Sequence, residues 1–304
     1  MPHDHTHNHH HETHNYNRAF ATGIALNIVF VVVEIFYGTI ADSLALIADA
    51  GHNFSDVISL LLAWGASYLA TWSPTKNRTY GFRRVTILAS LASAVLLLVA
   101  LGGISWEAFG RLVHPPIADG MTIIIVAGIG VVINSITAVL FISGQKHDLN
   151  IRGAYLHMAA DAGISFGVVI AGIAIMYTGW LWLDPAISLV IVFVILIGTW
   201  HLLKESISLS IDAVPQGIDI SEIENYLTGL NQIAEIHDLH VWALSTTETA
   251  LTVHLVTTSD YIDDNLLQTI QNHLHDQFDI EHATIQIENE AHGNVCALNR
   301  PECV

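Results

Sequence analysis

Charge is what this chain has least of. Only 12% of its 304 residues are Asp, Glu, Lys or Arg, while 52% are hydrophobic; soluble globular proteins carry about a quarter charged residues. That balance excludes an ordinary soluble protein and indicates a membrane protein. Basic residues are the scarcest, 10 against 28 acidic ones, for a formal net charge of -18. Without a basic surface to neutralise phosphates, nucleic acid is excluded as a partner. Cysteine is nearly absent: Cys296 and Cys303, both close to the C-terminus, are too few for a disulfide framework and suit a metal. The N-terminal stretch MPHDHTHNHHHETHNYN lacks the basic start and apolar run of a secretory signal.

What the chain has is apolar length. A bilayer core needs about 20 apolar residues of helix, and six segments qualify, at 19–41, 44–72, 85–113, 121–144, 153–179 and 181–209. Short connections predict a compact six-helix bundle. Cytoplasmic loops retain Lys and Arg; with the N-terminus inside, Arg18, Lys76, Arg78, Arg83, Arg84, Lys146, Arg152, Lys204 and Arg300 fall on the cytoplasmic side, and only Arg111 falls outside. Both termini are then cytoplasmic.

After residue 210 the texture becomes polar and acidic. Helix-like (218–230), strand-like (235–244 and 249–257), helix-like (263–278) and strand-like (283–288) runs follow. This αββαβ order predicts an open-faced, ferredoxin-like α+β domain, one sheet with helices on one face. The expected organisation is a His-rich disordered tail at 1–17, a membrane domain at 18–210, the cytoplasmic domain at 211–290 and a flexible end at 291–304. The small domain suits dimerisation or sensing.

Polar residues inside the spans carry the chemistry. His52 and Asp56 are four apart in LIADAGHNFSDVISLLLAW, which puts them about 40° apart around a helix and about 6 Å apart along it. The fifth span repeats the pattern with His157 and Asp161 in RGAYLHMAADAGISFG. One such pair alone could be structural; two matching pairs supply two imidazoles and two carboxylates, a tetrahedral set for zinc. Asp49 shares the face of His52 and Asp56, where a second-shell acceptor, a proton carrier or a helix cap are all open. Glu34 and the Glu107/Arg111 pair read as structural, and Asn27 and Asn134 as hydrogen-bonding between helices. The N-terminal His3, His5, His7, His9, His10, His11 and His14 cannot build a core and form a weak metal collector, unless the string is a tag.

The stretches DSLALIADAGHNFSD, YGFRR, NIRGAYLHMAADAG, DPAISL and HDLHVWAL, in this order across residues 17 to 290, resemble the cation diffusion facilitators. The resemblance implies a homodimer in which each protomer exchanges a divalent metal for protons, with the transport site at His52, Asp56, His157 and Asp161. It implies a lean toward zinc, since relatives with Asp at the first position often accept cadmium, while cobalt and nickel remain open. It also implies a cytosolic site drawing on His237, His254, His282 and Glu288, with Cys296 and Cys303 as terminal ligands; the alternative is a His-rich acidic surface without a site. His240, His273, His275 and His292 read as surface residues. The connection SPTKNRTYGFRR offers no ligand, so no metal site is expected there, and the short SGQKHDLN favours a bacterial inner-membrane exporter.

The reading is therefore a proton-coupled zinc exporter, with zinc as cargo, no resident cofactor and no enzymatic activity. Imidazoles, with an unperturbed pKa near 6.5, can trade metal for protons. The rivals are a metal sensor or channel without proton coupling, and an intramembrane metalloenzyme, for which the usual H-E-x-x-H signature is missing.

Overall fold

A computed structural model describes residues 17–142, 149–258 and 264–289. The N-terminal histidines, Lys146, His292, Cys296, Arg300 and Cys303 lie outside the described residues. Six long helices come first: α1 (Asn17–Ile40), α2 (Leu44–Ala70), α3 (Val85–Val113), α4 (Gly120–Phe141), α5 (Leu149–Thr178) and α6 (Leu183–Ser210). Then follow α7 (Ile220–Thr228), β1 (Ile233–Ala243), β2 (Thr249–Thr257), α8 (Asp264–Phe278) and β3 (Ile280–Asn289). α5 starts at Leu149 and not at the expected 153, because hydropathy locates the apolar body of a helix and not its polar first turn. Among the described residues, Val85–Val113, Gly120–Leu140, Tyr155–Thr178 and Leu183–Ser210 are long and apolar enough to cross a membrane, and Ile24–Ile40 is a shorter apolar helix. α2 interrupts its apolar sequence with Asp49, His52, Asn53 and Asp56.

The chain divides into two units, Met1–Ile58 with Leu96–Ile197 and Ser59–Val95 with Gly198–Val304. Residue 210 is thus where composition changes, while the second unit reaches back into the α2–α3 connection. In the first unit, Leu46, Leu101, Ile123, Ala127, Val168 and Ile191 belong to one buried apolar cluster drawn from α2 to α6. α4 and α5 approach closely where Gly120 meets Gly172. A Cβ on Gly120 would lie 2.9 Å from the Gly172 carbonyl oxygen, so only glycine admits this contact.

The start of α2 is fixed by its caps. Ser43 Oγ accepts from Leu46 N–H at 3.3 Å, an N-cap bond. Buried Asp184, in the first turn of α6, accepts from Leu44 N–H at 2.6 Å and Ala45 N–H at 3.3 Å, and also from the Ser43 hydroxyl. A carboxylate there satisfies donors left open by the helix end and opposes its dipole, a gain of about 1–2 kcal/mol. Nearby Asp42 takes φ 46°, and Arg111 holds that turn, 2.7 Å from the Asp42 carboxylate and 2.9 Å from Glu107. The expected Glu107/Arg111 pair therefore has a third member.

In the second unit, β1 pairs antiparallel with β2, and β2 pairs parallel with β3. Ile223 and Leu227 of α7 and Ile270 and Leu274 of α8 bury against Val241, Leu251, Val253 and Leu255, each large aliphatic side chain contributing about 1.5–3 kcal/mol. Alternation along β2 sends Leu251, Val253 and Leu255 to the helix side and His254 to the other face. The β1–β2 loop is tied to the start of α3: Arg83 pairs with Glu248 at 3.2 Å, and Thr246 N–H donates to Thr86 Oγ1 at 3.1 Å. Arg84 pairs with Asp212.

Candidate metal centre

His52 and Asp56 stand one turn apart on α2, and His157 and Asp161 one turn apart on α5. The fold brings the two pairs face to face, with one potential ligand atom of each residue within 4.8 Å of the other three. Each imidazole Nε2 lies between the two carboxylates. His52 Nε2 is 3.3 Å from Asp161 and 3.7 Å from Asp56; His157 Nε2 is 3.1 Å from Asp56 and 3.7 Å from Asp161. A tetrahedron with ligand bonds of about 2.1 Å has edges of about 3.4 Å. The four nitrogen–oxygen separations, which run to Asp161 Oδ1 from His52 and to Asp161 Oδ2 from His157, bracket that length.

Exposure is graded through the cluster. Asp161 and His52 are 2% and 12% exposed at the side chain, while Asp56 and His157 are 31% and 43% exposed. Asp56 is nearer the C-terminal end of α2 and His157 nearer the N-terminal end of α5, so the accessible pair lies toward one end of the helices and the sealed pair toward the other.

Asp49 lies within α2, fully buried, which rules out the capping role. It accepts from Ser165 Oγ at 3.0 Å and lies within hydrogen-bonding reach of Glu34. His52 Nδ1 has no hydrogen-bond partner among the described residues, so Asp49 does not orient that imidazole. Glu34, read above as structural, accepts from Asn53 at 3.4 Å and is as buried as Asp49. Of the asparagines, Asn27 donates to Met158 Sδ at 3.7 Å across helices. Asn134 departs from expectation: it is fully buried, and neither of its amide atoms finds a partner among the described residues.

On the tail sheet, His237 and His254 are register partners across β1 and β2, and Glu288 joins them from β3. One ligand atom of each lies within 4.8 Å of the others. Glu288 is 3.0 Å from His254 Nδ1 and 3.6 Å from His237 Nε2. His282 is not brought to this trio. It sits six residues before Glu288 on the same strand, about 20 Å away, exposed and edge-on to Tyr80 at 5.5 Å between ring centroids.

The sequence reading missed Asp238. It lies in a β1 irregularity between His237 and His240 with φ 54°, and it reaches His254 Nε2 at 3.5 Å and His240 Nε2 at 2.9 Å. An Asp between two histidines in HDLH was the available signal, since Asp tolerates the left-handed conformation a bulge can require. His240, read as a surface residue, is thus tied to the trio through Asp238. Elsewhere on the tail, His273 stacks on Tyr226 with centroids 3.7 Å apart. His275 is exposed, and its pKa is raised by a hydrogen bond it donates to Asp276 and by the charge of Glu281.

Comparison with known proteins adds independent findings. Residues 21–209 match the family model described as the cation efflux transmembrane domain, and residues 215–290 match the cation efflux protein, cytoplasmic domain. The chain is 38% identical to the metal cation efflux system protein CzcD of Cupriavidus metallidurans, covering 89% of this chain and 86% of that one. It is 35% identical to the cadmium, cobalt and zinc/H(+)-K(+) antiporter of Bacillus subtilis, covering 88% of each. It is also 35% identical to the zinc transporter ZitB of Escherichia coli, over 98% of this chain and 95% of that one. Among solved structures, the metal-bound C-terminal domain of CzcD from Cupriavidus metallidurans is 36% identical and matches 23% of this chain and 99% of its own, at a TM-score of 0.22.

Proposed function

The chain belongs to the cation efflux family of membrane transporters, and we propose that it exports zinc from the cytoplasm in exchange for protons, using His52, Asp56, His157 and Asp161 as the carrier site. The observation that carries this reading is the meeting of those four side chains, with one ligand atom of each within 4.8 Å of the others. Two carboxylates balance the charge of a divalent ion, so the loaded site is neutral and the ion can be held away from water. Two imidazoles supply the exchange. Each must be neutral to bind zinc, so proton entry displaces the metal.

With six spans and both termini cytoplasmic, the exposed ligands Asp56 and His157 face the cytoplasm, and His52 and Asp161 lie toward the outside. The graded exposure then corresponds to an inward-open carrier. Zinc enters past Asp56 and His157, completes its shell on His52 and Asp161, and leaves when the opposite side opens. Similarity to proteins whose names specify zinc transport and zinc/H(+)-K(+) antiport supports both the ion and the coupling. The tail, residues 211–290, is a ferredoxin-like module that joins two copies of the chain. Its trio His237, His254 and Glu288 binds zinc on the cytoplasmic side, and the protein resides in a bacterial inner membrane.

Zinc-loaded proteoliposomes test this reading. Zinc flux through the wild type should accelerate with an imposed pH gradient and collapse in His157→Ala. Flux indifferent to the gradient would rule out antiport, and ohmic zinc current would favour a channel.

A further inference from the structure

Glu34 of α1 and Asp49 of α2 are each 0% exposed, and their side chains are within hydrogen-bonding reach of one another. One oxygen of each is served by a neighbour, Glu34 Oε2 by Asn53 Nδ2 and Asp49 Oδ2 by Ser165 Oγ. Among the described residues, no donor reaches the other two oxygens, Glu34 Oε1 and Asp49 Oδ1. Ionised carboxylates only accept hydrogen bonds, and two of them in contact away from water repel strongly. The titratable groups that face the pair are His52 on α2 and Asp161 on α5. α4, which packs against α1, has no titratable residue between Gly120 and Phe141. A single proton between the carboxyls satisfies both orphaned acceptors and leaves the pair one negative charge.

We propose that Glu34 and Asp49 form a proton-sharing carboxyl pair that relays external protons to the metal ligands. This rests on the transport reading above. The pair's position supports the role: Asp49 is one turn before His52 on α2, and Ser165 is one turn after Asp161 on α5. Both therefore lie beyond the sealed ligands, on the side away from exposed Asp56 and His157. In the proposed orientation, an entering proton meets this pair before it meets the ligands. When zinc departs, the pair's proton passes to a vacated ligand, either an imidazole nitrogen or a carboxylate oxygen. A proton from external water then replaces it. The pair ends with one proton, as it began, and the ligand carries the other.

Infrared difference spectroscopy on the zinc-free protein at neutral pH should show the C=O stretch of a protonated carboxyl, shifted in D2O and lost in both Glu34→Gln and Asp49→Asn. In proteoliposomes, Glu34→Gln should bind zinc within about threefold of wild type yet lose about tenfold or more of the flux driven by a pH gradient. Absence of the band in the wild type overturns the proposal, and so does a Glu34→Gln protein whose flux responds to the gradient as wild type does. If Glu34→Gln does not fold, the wild-type spectrum and Asp49→Asn decide. Failure of zinc transport in the wild type would refute the carrier reading, while the infrared band would still report on the pair.

Discussion

The cluster on α2 and α5 and the cluster on the tail sheet both join two imidazoles to carboxylate oxygen, yet they are assembled from different repeats. The helical cluster uses the i, i+4 spacing twice, so each half is complete within five residues and the fold only has to bring the halves together. The sheet cluster takes one residue from each of three strands, and its order depends on register across two ladders. A slip of one residue in β2 would turn His254 toward Leu251 and Val253 on the helix side. The helical site also carries two carboxylates for two imidazoles, whereas the sheet trio has one, with Asp238 reaching His254 from a bulge. The first arrangement sets two carboxylates against two imidazoles, enough to match a divalent charge, while the second gathers side chains only 9%, 11% and 19% exposed around one carboxylate.

Asp161→Ala is the sharpest cut between the two. Removing a sealed ligand should lower zinc flux in proteoliposomes by more than about 100-fold, while zinc bound at the tail stays as in wild type. Loss of both activities together would break the distinction. His254→Ala is the reciprocal change: zinc binding at the tail should weaken by about 100-fold, measured by calorimetry on the full chain carrying Asp161→Ala. Asp238→Asn keeps the ligands and removes a charge beside one of them, so a smaller loss of about tenfold is expected in the same titration. His282→Ala should leave that affinity within about twofold, because the strand carries His282 about 20 Å from Glu288.

The smallest effect concerns a histidine that has acidic neighbours but no enclosure. His275 is exposed, and Asp276 and Glu281 raise its pKa. Its protonated form is favoured in the folded chain, so its contribution to stability is present below the unfolded pKa and fades as pH rises through the folded one. Asp276→Asn should bring its NMR titration back toward the ordinary imidazole range without altering zinc affinity at the tail. A change in that affinity would mean that exposed acidic histidines belong to the site.

The legibility of each part follows the range over which its residues interact. His52, Asp56, His157 and Asp161 were readable because helical period alone places each pair on one face, and apolar length, a local property, marked α3 to α6 most plainly, among the described residues the four helices long and apolar enough to cross a membrane. His237 and His254 came only through the resemblance, since nothing in EIHDLHVWAL states which residue lies opposite TALTVHLVT. Asp238 was missed because strand alternation is the wrong rule at a bulge. Glu34 was taken as structural because its partner, Asp49, lies on another helix fifteen positions away. Asn134 shows the converse failure: a buried amide in an apolar helix suggested an interhelical bond, and the described residues give it none.

The close approach of Gly120 and Gly172 bears on which parts can move. With the Gly120 and Gly172 backbones in contact and the Ile123 and Ile124 side chains packed against Gly172, α4 and α5 have little slack to slide past one another. Any displacement that carries His157 and Asp161 away from His52 and Asp56 must take α4 with it. A single added methyl, Gly172→Ala, would act as a wedge at that contact, meeting Ile123 Cγ2 at 3.0 Å and Ile124 Cγ1 at 2.9 Å. The site's chemistry would be untouched while its stroke would change, making the glycine a gear tooth and the four ligands its load.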